Sequence, residues 1–207
     1  GDSLILHSEL LLNTDLHNHR AVVVALADRV LSNARDHSDD VRAAALNVRA
    51  IASWRNARID EALGYVEEAV QFRGEITRVW QYDPLWTKAW MLTRVRRLDD
   101  ALVAAEAACR TIDAECREVL APIPLALRAT ILLAQGDVAA AEADAVAGLA
   151  ASAKSEMPLY EPQLHAVRVM VALRRGELAT AAEGLRKVQE SAPTDRNHPW
   201  HALQCML

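Results

Sequence analysis

Phenylalanine occurs once in this chain of 207 residues, and glycine and proline occur only seven times each. Such a scarcity of aromatic and turn-forming residues argues against a β-sandwich or barrel, which needs many short strands and many turns. No apolar run approaches the roughly 20 residues that span a bilayer as a helix. The Leu10-Leu11-Leu12 triplet sits amid Glu9, Asn13 and Asp15, and no secretory signal pattern is visible. There are three cysteines, Cys109, Cys116 and Cys205, an odd number with no Cys-x-x-Cys. That count argues against a secreted disulfide framework, and a reducing cytoplasm fits it better. Cys109 and Cys116 are seven residues apart. In a helix that separation is about 10 Å, too far for a disulfide, so both read as small apolar packing residues, with a reactive pair as the alternative. Positive charge is also lacking: the net charge is −5 and the pI about 5.8. Without a cationic field, no direct contact with nucleic acid is expected.

What is present is a helix-former's alphabet. Hydrophobic residues make up 52% of the chain and charged residues 25%. Alanine, leucine, valine, arginine and glutamate dominate, and only three of the 23 basic residues are lysine. A globular chain of this length buries roughly 70% of its unfolded surface, enough for a core that needs no metal or disulfide.

The apolar positions recur at long range. Arg58-Ile59-Asp60-Glu61-Ala62, Arg97-Leu98-Asp99-Asp100-Ala101, Asp137-Val138-Ala139-Ala140-Ala141 and Glu177-Leu178-Ala179-Thr180-Ala181 align without gaps, their last alanines 39, 40 and 40 residues apart. Gly136 and Gly176 precede the last two copies. Each segment reads as a corner between two helices. Glycine closes one helix in a left-handed conformation, and acids open the next, where the helix dipole favours negative charge. Prolines mark the opposite corner: Pro84, Pro124, Pro162 and Pro199 are 40, 38 and 37 apart, with Pro122, Pro158 and Pro193 beside them.

These signals predict helices over residues 3–13, 18–34, 40–56, 59–75, 84–95, 98–115, 123–135, 138–153, 161–175, 178–191 and 199–207. Val66 and Ala69, Ala105 and Ala108, Ala145 and Gly148, Leu185 and Val188 follow their anchor alanines by four and seven residues, on one helical face. In the preceding helices Ala50, Ala89, Ala129 and Val169 stand twelve before the anchors, with Leu46, Leu85, Leu125 and His165 one turn further back. A single hairpin cannot bury two such stripes, but neighbouring hairpins can bury each other's. The expected fold is all-α, a right-handed α-α superhelix of antiparallel helix pairs with a period of about 40 residues. One domain is expected, with 1–39 as a partial N-terminal repeat, 40–191 as four helix pairs and 192–207 opening a further helix.

Small anchors in both helices, the acidic corner and Pro193 twelve residues after Ala181 resemble the tetratricopeptide pattern over about residues 40–207. The stretch Leu127-Arg128-Ala129-Thr130-Ile131-Leu132-Leu133-Ala134-Gln135-Gly136-Asp137 is similar to repeats in the superhelical sensor region of large MalT-type LuxR-family transcriptional regulators. Members of that family also carry a phosphate-binding GxxxxGK[ST] loop and a helix-turn-helix, and neither motif is present in this sequence. The resemblance therefore implies the middle module of a longer bacterial regulator, a cytoplasmic helical repeat that binds a small inducer or a protein partner. A general protein–protein adaptor is the alternative.

Two groups of residues could form a binding site. Arg49, Lys88, Arg128 and Arg168 are 39, 40 and 40 apart, each thirteen before its anchor alanine. This basic ladder is either a set of ion pairs, with Glu68, Glu106, Glu142 or Glu183 as partners, or an anion-binding stripe. Trp54, Trp86, Trp90 and Arg94 are the second group, with Trp80 and Tyr82 nearby. They form either inter-repeat packing or an aromatic groove.

Catalysis and metal chemistry have weaker footing. Gly1-Asp2-Ser3-Leu4 and Asp195-Arg196-Asn197-His198 spell two blocks of the GDSL esterases, whose triad would use Ser3, Asp195 and His198. Those enzymes are α/β folds, and helical repeats between the blocks cannot build the sheet that positions a triad, so no catalytic residue is expected. His17-x-His19 and His198-x-x-His201 lack a recognised zinc spacing. No metal, no cofactor and no membrane contact are expected. His165, on an apolar stripe, reads as a satisfied core histidine.

Overall fold

The computed structural model describes residues 20–33, 35, 37–72, 83–114, 120–155 and 158–191. Among them are nine α-helices and no strand: α1 (Arg20–Ser32), α2 (Asp39–Arg55), α3 (Ile59–Gln71), α4 (Pro84–Arg94), α5 (Leu98–Ala114), α6 (Pro122–Gln135), α7 (Val138–Ser155), α8 (Glu161–Arg174) and α9 (Leu178–Ser191), with a 3-10 turn at Pro158–Tyr160 before α8. The helices expected over 3–13 and 199–207 lie outside the described residues. No described helix is long and apolar enough to cross a membrane.

Local chemistry explains where these helices start. Asp39 and Asp40 open α2, Asp60 and Glu61 open α3, and Asp99 and Asp100 open α5, each pair set against a helix N-terminus. Pro84 begins α4 and Pro122 begins α6. There the missing N–H costs nothing, because first-turn donors have no partner within the helix.

Four corners share one hydrogen-bond pattern. The N–H of Ala57, Arg96, Gly136 and Gly176 each reaches back three residues, and the N–H of Arg58, Arg97, Asp137 and Glu177 each reaches back five, at 2.9–3.0 Å. That is the Schellman closure, with the first of each pair in the left-handed region. Its φ is 97° at Gly136 and 75° at Gly176, but also 58° at Ala57 and 63° at Arg96. The corner geometry is thus retained where the sequence supplies no glycine.

The chain divides into two compact units, Gly1–Met91 and Leu92–Leu207. In the first, α1, α2 and α3 pack in succession. Ala27 and Val30 of α1 meet Ala45 and Val48 of α2. Ala50 of α2 and Ala62 and Val66 of α3 close over Met91 of α4, all at 0% exposure. In the second unit α5 meets α6, α6 meets α7, α7 meets α8, and α8 meets α9. Its core joins Ala126, Ala129 and Leu133 of α6, Ala141 and Ala145 of α7, and Leu164, Val167 and Val171 of α8. Each buried Leu or Val there contributes roughly 1.5–3 kcal/mol.

Small residues set how closely the helices approach. The anchors Ala62, Ala101 and Ala141 are wholly buried, and Ala181 nearly so. At Gly148 of α7 a Cβ would lie 2.7 Å from Leu164 Cδ2, so nothing larger than hydrogen fits without displacing a buried leucine. The last hairpin departs from the pattern: Leu185, four residues after Ala181, is 51% exposed, and Leu178 is 71% exposed.

Polar bonds also cross between helices in the second unit. Gln163 of α8 donates to Thr130 Oγ1 at 3.0 Å, and Arg174 donates to the Leu133 carbonyl at 2.7 Å. These fix the rotation of α8 against α6, and therefore which of its side chains face α9.

Candidate functional site

The ladder residues have different surroundings. In the first unit Arg49 lies among several partners, its Nε 3.3 Å from Asp28 and its Nη2 3.7 Å from Glu61 and 3.4 Å from Tyr65 Oη, though the Nε itself is buried without a hydrogen bond. Its pKa is raised further, first by the tyrosine bond and then by the two carboxylates, with burial opposing. Lys88 lies 3.8 Å from Glu67. In the second unit Arg128 grips Asp144 with both arms, Nε to Oδ2 at 2.6 Å and Nη2 to Oδ1 at 2.7 Å. That bond is the main reason its pKa lies well above the ordinary arginine value. The partners are therefore Asp28, Glu61, Glu67 and Asp144 in place of the expected Glu68, Glu106, Glu142 and Glu183. Glu67 is one position from Glu68, whereas Asp144 is two from Glu142 and lies about 200° away around α7, with Glu142 turned to Arg175 instead.

Arg168 differs from the other three. It makes no ion pair with any described residue, and it lines a cleft of about 70 Å³ between α8 and α9. His165, Val171 and Ala172 of α8 share that cleft with Thr180, Glu183, Gly184 and Lys187 of α9, along with Glu142 and Glu177. Two of its carboxylates are already held: Glu142 by Arg175 at 2.6 Å and Glu183 by Arg186 at 2.5 Å. Arg186 also pairs with Glu190. Burial holds the His165 imidazole below its ordinary pKa, aided by Lys187 and Arg168 and opposed by Glu161. His165 is thus half-buried at a cleft wall, not enclosed in the core as its position on an apolar stripe suggested.

Trp54, Trp86 and Trp90 sit in the first unit. Trp54 of α2 and Trp90 of α4 are in contact, with ring centroids 5.1 Å apart and planes tilted by 60°. Both pack on the Ala50–Ala62–Val66–Met91 cluster, and Trp86 is 7% exposed. Such tilted aromatic pairs add about 0.5–1.5 kcal/mol beyond their buried area. Arg94 is exposed on the last turn of α4.

Ser3, Asp195, His198 and the two histidine pairs lie outside the described residues, as do Cys116 and Cys205. Cys109 is half-buried on α5. No group of three or more potential metal ligands occurs among the described residues. Sequence spacing identified Arg168 but not its cleft mates Thr180 and Lys187. Both stand at helical spacing from Gly184 on α9, a signal that acquires meaning only once α9 is placed against α8. Compared with known proteins, the chain matches no family model, no curated protein and no solved structure.

Proposed function

We propose that this chain is a non-catalytic helical-repeat module that senses a small ligand or a protein partner, and that it serves in the cytoplasm as part of a bacterial transcriptional regulator. The observation that carries the binding reading is the cleft between α8 and α9, where polar side chains converge beside Gly184. Concave sites with a few converging polar groups are what ligand recognition requires. The regulator reading rests on the resemblance of residues 127–137. In this reading the hairpins wind into a right-handed α-α superhelix with a period of about 40 residues. A ligand that prefers one helix arrangement would then shift the population of attached domains.

Thermal melting across a library of sugars, nucleotides, carboxylates and peptides tests this. A bound ligand at a hundred times its Kd adds about 2.7 kcal/mol and a clear rise in Tm. A flat response across the library would overturn small-ligand sensing. Small-angle scattering tests the superhelix, which must give a curved, elongated particle.

The adaptor reading has its own support. Met170 and Leu173 of α8, each 46% exposed, and Leu178 and Leu185 of α9 leave apolar side chains in solvent. Exposed apolar patches are what a partner helix recognises. Substituting Leu178 and Leu185 by serine would abolish partner capture if the adaptor reading holds, and would leave small-ligand binding intact.

A further inference from the structure

We infer that the cleft between α8 and α9 is a receptor for a small oxyanion, a carboxylate or phosphate head held by Arg168 and Lys187 with the Thr180 hydroxyl as a neutral donor. This deepens the binding-module reading and rests on it. Equivalent ladder positions make the contrast. Asp144 occupies both arms of Arg128, and Arg49 is ion-paired with Asp28 and Glu61 and hydrogen-bonded to Tyr65. Arg168 stands at the same distance before its anchor alanine and makes no ion pair among the described residues. An arginine with its fork unclaimed, in a cleft, is suited to bidentate capture of a planar or tetrahedral anion.

The acids of the cleft do not supply that partner. Glu142 is taken by Arg175 and Glu183 by Arg186, both at charge-assisted distances. Lys187 makes only a long contact of 3.9 Å with Glu183, through a chain 45% exposed, so its ammonium is available to a better ligand. Glu177, the remaining carboxylate, sits at the corner between α8 and α9, its N–H tied to the Ala172 carbonyl and its charge felt by Arg175.

Gly184 lets α9 approach α8 closely, since a Cβ there would lie 2.8 Å from Val169 Cγ2. The cleft beside it, about 70 Å³, suits an anionic head, with the rest of a ligand projecting into solvent. His165 sits in the same field. Lys187 and Arg168 both disfavour its protonated form, so both cations bear on the same point.

The test is an amide-resolved NMR titration of the full chain with sodium phosphate and, separately, sodium succinate, each against sodium chloride at matched ionic strength. The expected result is saturable shifts confined to residues 165–172 and 177–187 with one or both anions. Arg168→Gln and Lys187→Gln should each weaken binding by about tenfold. Arg110→Gln, at an exposed position on α5, should leave it unchanged. Phosphate alone, or succinate alone, identifies the head group. No saturable shift, or affinity unchanged in Arg168→Gln, overturns the proposal. A sugar or peptide that binds with no shifts in these two segments also overturns it, while leaving the binding-module reading standing.

Discussion

Arg128 and Asp144 are joined by two parallel hydrogen bonds of 2.6 and 2.7 Å that link α6 to α7, with the Asp144 side chain only 12% exposed. Most of the carboxylate's water is replaced by one guanidinium. Removing either partner alone leaves a half-buried charge without its counterion. We expect Asp144→Asn to lower stability by about 2 kcal/mol, below the range for fully buried pairs because Arg128 retains some solvent contact. Urea unfolding measures it. In a double-mutant cycle with Arg128→Met, the coupling should be about 1–2 kcal/mol, and additive losses would show that the pair is not a stabilising unit.

Ala57 and Arg96 adopt a left-handed backbone that glycine takes at Gly136 and Gly176. A non-glycine residue there costs about 1–2 kcal/mol, partly offset by the larger unfolded-state freedom of glycine. Ala57→Gly and Arg96→Gly should each therefore raise the urea midpoint, by about 0.5–1 kcal/mol in stability. A lowered midpoint in both would mean that these corners are not held in that conformation.

Three helical glycines separate propensity from packing. At Gly64 an added methyl would have nothing within 4 Å, whereas at Gly148 Leu164 Cδ2 would be 2.7 Å away. Gly64→Ala should stabilise by about 0.5–1 kcal/mol through helix propensity alone. Gly148→Ala should destabilise by about 1–2 kcal/mol, because overpacking against a wholly buried leucine outweighs the same gain. Gly184→Ala, where the clash is with Val169 Cγ2 at 2.8 Å, should behave like Gly148→Ala. Opposite signs at Gly64 and Gly148 in thermal melts are the outcome to look for.

His165 has a pKa below its ordinary value in the folded chain, chiefly through burial. As pH falls through the unfolded value of about 6.5, the unfolded chain takes up a proton that the folded chain resists. Stability should therefore fall as pH drops below about 7, and level off once pH is below the folded value. Melting curves of His165→Gln should show a shallower acid slope than the parent. Equal slopes would assign the effect to other groups.

Trp54 and Trp90, packed at 5.1 Å on a buried aliphatic cluster, should resist acrylamide. Trp90→Ala is expected to cost about 3 kcal/mol, the usual loss for a large aromatic removed from a packed site. Single-tryptophan variants read by fluorescence would distinguish this from an open groove, in which both rings would quench like free indole.

Much of this architecture could be read from the chain. Helix starts follow from acids and prolines near the N-termini, since dipole and donor chemistry act within one turn. The burial of Ala62, Ala101, Ala141 and Ala181 follows from spacing, since only small residues allow backbones to approach. The left-handed corners were legible at Gly136 and Gly176 but not at Ala57 and Arg96, because there neighbouring packing outweighs a local preference. Which acid meets which ladder cation could not be read either. Adjacent positions on a helix are about 100° apart, so Asp144 and Glu142 lie on nearly opposite sides of α7, and which of them faces Arg128 depends on how α7 is turned against α6.

By itself, then, the sequence determined that the described chain is helical, where its hairpins turn, and that a basic residue recurs before each anchor. Only the tertiary structure decided that three of those cations are held by carboxylates while Arg168 faces a cleft with Lys187 and Thr180. The physical reason is range. Periodicity and capping are properties of a few consecutive residues, whereas the charge partner of a side chain depends on how two separate helices rotate and approach, and that is settled by the packing of every residue between them.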